Sequence, residues 1–115
     1  MATIEIDGDD VVLTLSRMEA VEAAHKHTIS APLAAVQSVE GVDDPWPDLR
    51  GVKEVGTEFP GKSMIGVRRG EGFKDFCAVH KDGPAVIVTF DPSESKYDRW
   101  VFSGDIDEVP PGLKQ

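Results

Sequence analysis

Hydrophobic and polar residues alternate with a period of two at the start of the chain. Apolar side chains occupy every second position over residues 3–7 and again over residues 11–15, on either side of an acidic, Gly8-containing turn. Side chains of a β-strand point alternately to opposite faces, so this pattern is typical of half-buried strands. The sequence therefore predicts an N-terminal β-hairpin.

A short helix is predicted directly after this hairpin. Ser16 and Glu19 have the spacing of a capping box, in which each side chain accepts a hydrogen bond from the backbone amide of the other residue. β-Branched residues and Pro32 follow soon afterwards, so we place the helix near residues 17–24. Pro32 is also suited to open one further helical turn over residues 33–36.

The second half of the chain has the pattern of strands joined by tight turns. Two alternating stretches flank a Gly-containing turn at residues 69–72, and an Asp-Gly turn leads into residues 85–90. The latter stretch is apolar on both faces, which predicts an interior strand. A last strand near residues 97–103 is expected to carry Trp100 and Phe102 on one face.

These elements predict a mainly β (α+β) fold with about seven strands, forming one domain over residues 1–115. The succession of tight turns favours a single antiparallel barrel or a strongly curled sheet, because closure removes exposed strand edges. Val109, Pro110 and Pro111 interrupt the last segment, so any C-terminal helix is expected to be short or absent.

A long irregular loop is predicted over about residues 42–62, where prolines and glycines interrupt the alternation. Trp46 lies between Pro45 and Pro47, which favour extended backbone around it. Connections of this length are uncommon in compact domains and are usually functional or disordered. Two alternatives remain open: the loop folds back over the mouth of the barrel, so that Trp46 and Phe59 join the core, or it stands away from the barrel and presents them to a partner.

Composition and charge narrow the function. The 115 residues include 21 acidic and 12 basic ones, for a net charge of −9, which repels nucleic acid and anionic lipid. No signal peptide or membrane-spanning stretch is recognisable, so we expect no membrane insertion. The single cysteine, Cys77, is typical of a chain kept in a reducing compartment, and a cytoplasmic location is the expectation.

Three segments resemble a small bacterial family of uncharacterised proteins with a pleckstrin-homology-like barrel. They are residues 28–40, residues 56–61 and residues 76–80. The resemblance implies a bent barrel of seven antiparallel strands, with a C-terminal helix plugging one end, that works as a binding or assembly scaffold. This chain departs from the pattern at its proline-interrupted C-terminus. Its first hairpin turn, residues 7–10, is acidic, so phosphoinositide binding is not expected.

The residue patterns predict no catalytic, metal or cofactor site. Cys77 and His80 are three apart in a predicted strand and therefore point to opposite faces. His25 and His27 lack further ligands at a suitable spacing. No nucleophile elbow, phosphate loop or dinucleotide fingerprint is present.

We therefore expect a non-enzymatic module for binding a protein partner or for self-assembly. The candidate contact residues combine the anchors of the long loop with a cationic hairpin: Trp46, Arg50, Phe59, Lys62, Arg68 and Arg69. The alternative is a carrier that accepts a small apolar molecule among Trp100, Phe102 and Phe90 at the open end of the barrel.

Overall fold

A computed structural model describes residues 1–81 and 83–113. Its elements are, in chain order, β1 (Thr3–Asp7), β2 (Asp10–Thr14), α1 (Arg17–Ala23), β3 (Thr28–Pro32), β4 (Val36–Val42), β5 (Val52–Phe59), β6 (Ser63–Gly70), β7 (Phe73–His80), β8 (Ala85–Phe90) and β9 (Arg99–Ser103). Three 3₁₀ turns connect them, at Leu33–Ala35, Trp46–Asp48 and Ile106–Glu108.

The strands form two sheets. The small sheet has the order β1-β2-β3, and the large sheet has the order β4-β8-β9-β7-β6-β5. This corrects the prediction of a single closed barrel or curled sheet of about seven strands, because nine strands form two open sheets in the described ranges. It also corrects the purely antiparallel arrangement, since β7 and β9 run parallel to each other.

The predicted local elements are confirmed. Asp7 pairs with Asp10 at the end of the first hairpin, as the acidic turn indicated. Ser16 and Glu19 form both hydrogen bonds of the capping box, and α1 begins at the next residue, Arg17. Interior strand β8 lies between β4 and β9, in agreement with its apolar sequence. After β9, the described residues contain only 3₁₀ and turn structure, as the prolines predicted.

The two faces of the large sheet bury different clusters. We call the face toward the small sheet and α1 the inner face, and the opposite one the outer face. The inner face carries Phe76, Trp100 and Phe102 in the main core, together with residues from β1, β2 and β3. The outer face carries a second, smaller cluster of buried residues: Met64, Cys77, Val79, Ile87 and Val101.

The long loop predicted over residues 42–62 is corrected by the structure. Residues 43–51 and the turn at residues 60–62 lie outside strands, whereas residues 52–59 form β5, an edge strand of the large sheet paired with β6. We call residues 43–51 the Trp46 segment. Trp46 and Leu49 of this segment pack on the outer-face cluster. The segment therefore covers a face of the large sheet and not the mouth of a barrel.

Candidate interaction surface

An ionic network fastens the Trp46 segment to the outer face. Asp75 of β7 is 1% exposed, and its carboxylate accepts two hydrogen bonds from Arg50, from Nε at 2.7 Å and from Nη2 at 2.9 Å. Arg99 of β9 donates to the same carboxylate through Nε at 3.0 Å and to the Asp48 carbonyl through Nη2 at 2.8 Å. Two guanidinium groups thus satisfy the buried charge while one of them also holds the segment's backbone.

Arg68 of β6 adds a second attachment. Its Nη2 donates to the Gly51 carbonyl at 2.7 Å and its Nε to the Arg50 carbonyl at 3.2 Å, while Nη1 pairs with Glu58 at 2.8 Å. The strand register explains the convergence, because Arg68, Asp75 and Arg99 are direct neighbours across β6, β7 and β9 on the outer face. The hydrogen bond and charge of Asp75 raise the pKa of Arg50.

Trp46 is a structural anchor of the same segment. Its indole Nε1 donates to the Lys81 carbonyl at 2.8 Å, and its ring is half-buried against the outer-face cluster. Its backbone amide donates to the Asp44 side chain at 3.1 Å, which fixes the turn that leads into it. Of the two alternatives for Trp46, the structure shows the folded-back one, on a sheet face.

The six candidate contact residues do not form one surface. Trp46, Arg50 and Arg68 lie on the outer face and are engaged within the protein. Phe59 and Arg69 belong to the inner side of the sheet, because register places Phe59 beside Ser63 and successive strand residues alternate faces. Arg69 is 3.6 Å from Glu54, and Lys62 is exposed without an ion pair to any described residue. The predicted cationic patch is thus divided between two faces.

A different surface concentrates exposed apolar side chains. Of the large hydrophobic residues that are exposed in the described ranges, all but Met1 lie on α1 or β5. We call them the α1–β5 surface: Met18 (67% exposed), Val21 (72%), Val52 (69%), Val55 (41%) and Phe59 (58%). Of these, sequence reasoning selected only Phe59. No sequence signal identified Met18 and Val21, because apolar residues at helical spacing are typical of a buried face, whereas in the structure Glu19 and Ala23 supply the buried side of α1.

Two contacts position α1 beside β5. The Thr57 hydroxyl donates to the Glu22 carbonyl at 2.9 Å, and His80 Nε2 lies 2.7 Å from a carboxylate oxygen of Glu19. Phe59, Ser63 and His80 form one cross-strand row. The first turn of α1 therefore lies at the level of Phe59 along the strands, and Glu22 of the same helix lies beside Thr57 of β5.

Glu19 is a buried carboxylate, and its partners are known. Burial would raise its pKa, but hydrogen bonds from the Ser16 amide, His80 and the Ser16 hydroxyl outweigh that effect and lower it.

Cys77 is fully buried on the outer face, and burial, with the charge of Asp75, raises its pKa to about 12. As predicted, Cys77 and His80 point to opposite faces of the sheet, because Cys77 belongs to the outer-face cluster and His80 reaches α1.

The interior near the proposed carrier site is filled. Phe90 and Trp100 are in edge-to-face contact with ring centroids 4.6 Å apart, and both are buried. The cavity lined by Phe102, between β1 and the end of β9, has a volume of about 160 Å³. Pockets for drug-sized ligands have volumes of roughly 300–1,000 Å³.

Searches for related proteins found no match. No protein-family model matches the chain, and neither curated proteins nor solved structures match it significantly. The resemblance to the pleckstrin-homology-like family therefore stays a prediction.

No helix in the described ranges is long and apolar enough to cross a membrane. Those ranges also contain no cluster of three or more His, Cys, Asp or Glu side chains with the geometry of a metal site.

Proposed function

We propose that this protein is a non-enzymatic binding module in the cytoplasm, and that its contact site is the α1–β5 surface. The observation that carries the proposal is the clustering of exposed apolar side chains on these two adjacent elements. Contiguous apolar patches on a folded domain mark interaction sites, because water contact with them is unfavourable.

The position of β5 adds backbone recognition to this apolar contact. β5 ends the large sheet, and among the described strands its one hydrogen-bonded neighbour is β6. The free edge of such a strand presents amide and carbonyl groups that an additional strand can pair with. Backbone pairing together with Val55 and Phe59 would give both affinity and side-chain selectivity.

The contacts on the outer face also favour the α1–β5 surface as the contact site, because the outer-face side chains have structural roles. Trp46, Arg50 and Arg99 are used to hold the Trp46 segment on the sheet, so they stabilise the scaffold. The contact between His80 and Glu19 holds α1 on the inner face in the same way. These groups have internal partners, whereas the apolar side chains of the α1–β5 surface face solvent.

The net charge supports a protein as the partner, and the buried cysteine supports the cytoplasm as the compartment. The net charge of −9 disfavours nucleic acid, and the acidic turn between β1 and β2 disfavours phosphoinositide head groups. A protein surface is the partner that an apolar patch and a strand edge fit. The fully buried thiol of Cys77 is compatible with a reducing cytoplasm.

Site-specific photo-crosslinking tests the proposal. A photoreactive phenylalanine analogue replaces Phe59 in the full chain, and Gln37, an exposed residue of the opposite edge strand β4, is replaced as the matched control. We expect defined protein adducts in cells from position 59 and none from position 37. Equal labelling from both positions, or no adduct from position 59, would contradict the proposal.

A further inference from the structure

The two halves of β5 differ in how well they are protected against pairing with another strand. The first half contains Lys53 and a register irregularity between Lys53 and Val55, which leaves Glu54 outside the regular pairing with β6. Charges and bulges are the common devices that prevent edge-to-edge association. The second half, residues 55–59, pairs regularly with β6 and contains neither lysine nor proline.

The side chains of this second half alternate between the inner and the outer side of the large sheet. Val55, Thr57 and Phe59 lie on the inner side, and Gly56 and Glu58 lie on the outer side, as their partners on β6 show. Residues directly opposite each other in an antiparallel pair must share a face. If two copies of this stretch pair antiparallel about a two-fold axis, inner-side residues must lie opposite inner-side residues. The axis must therefore pass through a residue of each strand and not through the midpoint between two successive residues.

Among the registers centred on residues 56–58, the strand irregularity and charge together select one. An axis at Gly56 requires pairing through the irregularity at Glu54, whose carboxylate lies near Arg69 on the inner side. An axis at Glu58 sets the two Glu58 carboxylates against each other. Like charges directly opposite are destabilising. An axis at Thr57 avoids both conflicts: it sets Val55 opposite Phe59 twice, Gly56 opposite Glu58 twice, and the two threonines opposite each other. Aromatic with β-branched pairs are favourable cross-strand combinations, and each Thr57 hydroxyl keeps its hydrogen bond to the Glu22 carbonyl of its own copy.

We propose that the occupant of the α1–β5 surface is a second copy of this chain, with its β5 antiparallel to the first about a two-fold axis at Thr57. This rests on the proposed function and names its partner. The pairing joins the two large sheets at their β5 edges. It brings Val55 of each copy, 41% exposed, against Phe59 of the other, 58% exposed, on the side where α1 lies.

The contact is small, so its occupancy depends on concentration. Stable interfaces bury about 800 Å² on each partner, and a five-residue strand pair with flanking contacts from Met18 and Val21 provides less. Both copies use the same surface, so the assembly closes at two copies and does not extend into a filament. A weak dimer that exchanges with monomer is the expected behaviour.

Cysteine pairing tests the register. Val55→Cys and Phe59→Cys are made separately in the full chain, and the two proteins are mixed under mild oxidation. The register places position 55 of one copy opposite position 59 of the other, at a separation a disulfide spans. We expect a disulfide-linked dimer from the mixture and none from either variant alone. Cys77 does not interfere, because it is fully buried.

Sedimentation velocity of the unmodified chain is the second measurement, and it needs no variant to fold. The average mass is expected to rise from monomer toward dimer over a hundredfold increase in concentration, and Phe59→Asp is expected to hold it at monomer. A monomer at every concentration together with no disulfide from the mixture would overturn the second copy as partner. So would disulfide formation by Val55→Cys alone, since that requires another register. Photo-adducts from position 59 to a different protein, with no self-adduct, would leave the proposed function standing and remove this inference.

Discussion

The Arg50 guanidinium forms two hydrogen bonds with the Asp75 carboxylate, and this pair joins the segment that carries Trp46 to the outer face of the large sheet. The two residues are 25 positions apart in the chain. Arg50 also lies over the Phe73 ring, with its guanidinium carbon 4.2 Å from the ring centroid. The planar fork of arginine allows both contacts at once, which a lysine cannot reproduce.

Asp75→Asn is expected to lower the free energy of unfolding by about 2–3 kcal/mol, because it removes the buried charge that Arg50 and Arg99 share. Urea denaturation measures the change. Asp48→Asn is the matched control: only the backbone carbonyl of Asp48 contacts Arg99, so a change within about 0.5 kcal/mol is expected. Equal effects from both substitutions would contradict this role for the Asp75 carboxylate.

Release of the Trp46 segment can be followed separately from global unfolding. Trp100 is 0% exposed, so quenching of tryptophan fluorescence by iodide in the folded protein reports mainly on Trp46. Arg50→Lys loses the paired hydrogen bonds to Asp75 and is expected to increase quenching while circular dichroism stays unchanged. Unchanged quenching in this variant would show that Arg50 does not hold the segment.

Glu19→Gln is expected to make stability less dependent on pH. The pKa of Glu19 is lowered from its ordinary value of 4.5, so its ionised form stabilises the folded state above that pH, and this contribution is lost as pH falls through the folded-state pKa. A glutamine at this helix position can keep the capping box. We expect the stability of the wild type to exceed that of Glu19→Gln by about 1 kcal/mol near pH 6, and the difference to shrink as pH falls below 4.5 and through the lowered folded-state pKa of Glu19. A constant difference across this range would contradict the assignment.

Gly56→Ala is expected to prevent normal folding or to cost more than about 3 kcal/mol. A Cβ at this position would lie 2.2 Å from the Ile65 carbonyl oxygen, and Gly56 has a φ of +122°. Gly61→Ala is the control, because Gly61 also has a positive φ, +78°, but has nothing within 4 Å of its Cβ position. It should cost about 1 kcal/mol, the strain alone. Thermal unfolding compares the two, and similar costs would show that close backbone approach is not the cause.

Cys77 is expected to be unreactive toward thiol reagents in the folded protein at pH 8. Its side chain is fully buried and its pKa is raised to about 12, so almost no thiolate is present. Labelling should occur only after addition of denaturant, with one equivalent per chain. Phe59→Cys serves as a control for an exposed thiol, since Phe59 is 58% exposed. Native labelling of Cys77 at the rate of that exposed thiol would contradict its burial.

The elements that sequence predicted correctly depend on contacts within a few residues. The capping box of Ser16 and Glu19 and the first hairpin are local in this sense. β5 was missed for a physical reason: an irregularity after Lys53 breaks the alternation, Gly56 interrupts it, and an exposed edge strand needs no apolar period. Because β5 is exposed, its sequence lacks the apolar period of a buried strand, and the same exposure makes β5 a candidate contact surface.

The amino-acid sequence by itself determined the strand-rich composition, the start of α1, the buried character of β8 and the acidic charge, because these follow from side-chain chemistry and short-range spacing. Only the tertiary structure decided that there are two sheets, that β9 runs parallel to β7, and that Arg50, Arg68 and Arg99 converge around Asp75. It also decided which apolar residues remain exposed. Such relationships depend on which distant strands become neighbours, and the free energy of that choice is shared among many residues far apart in the chain.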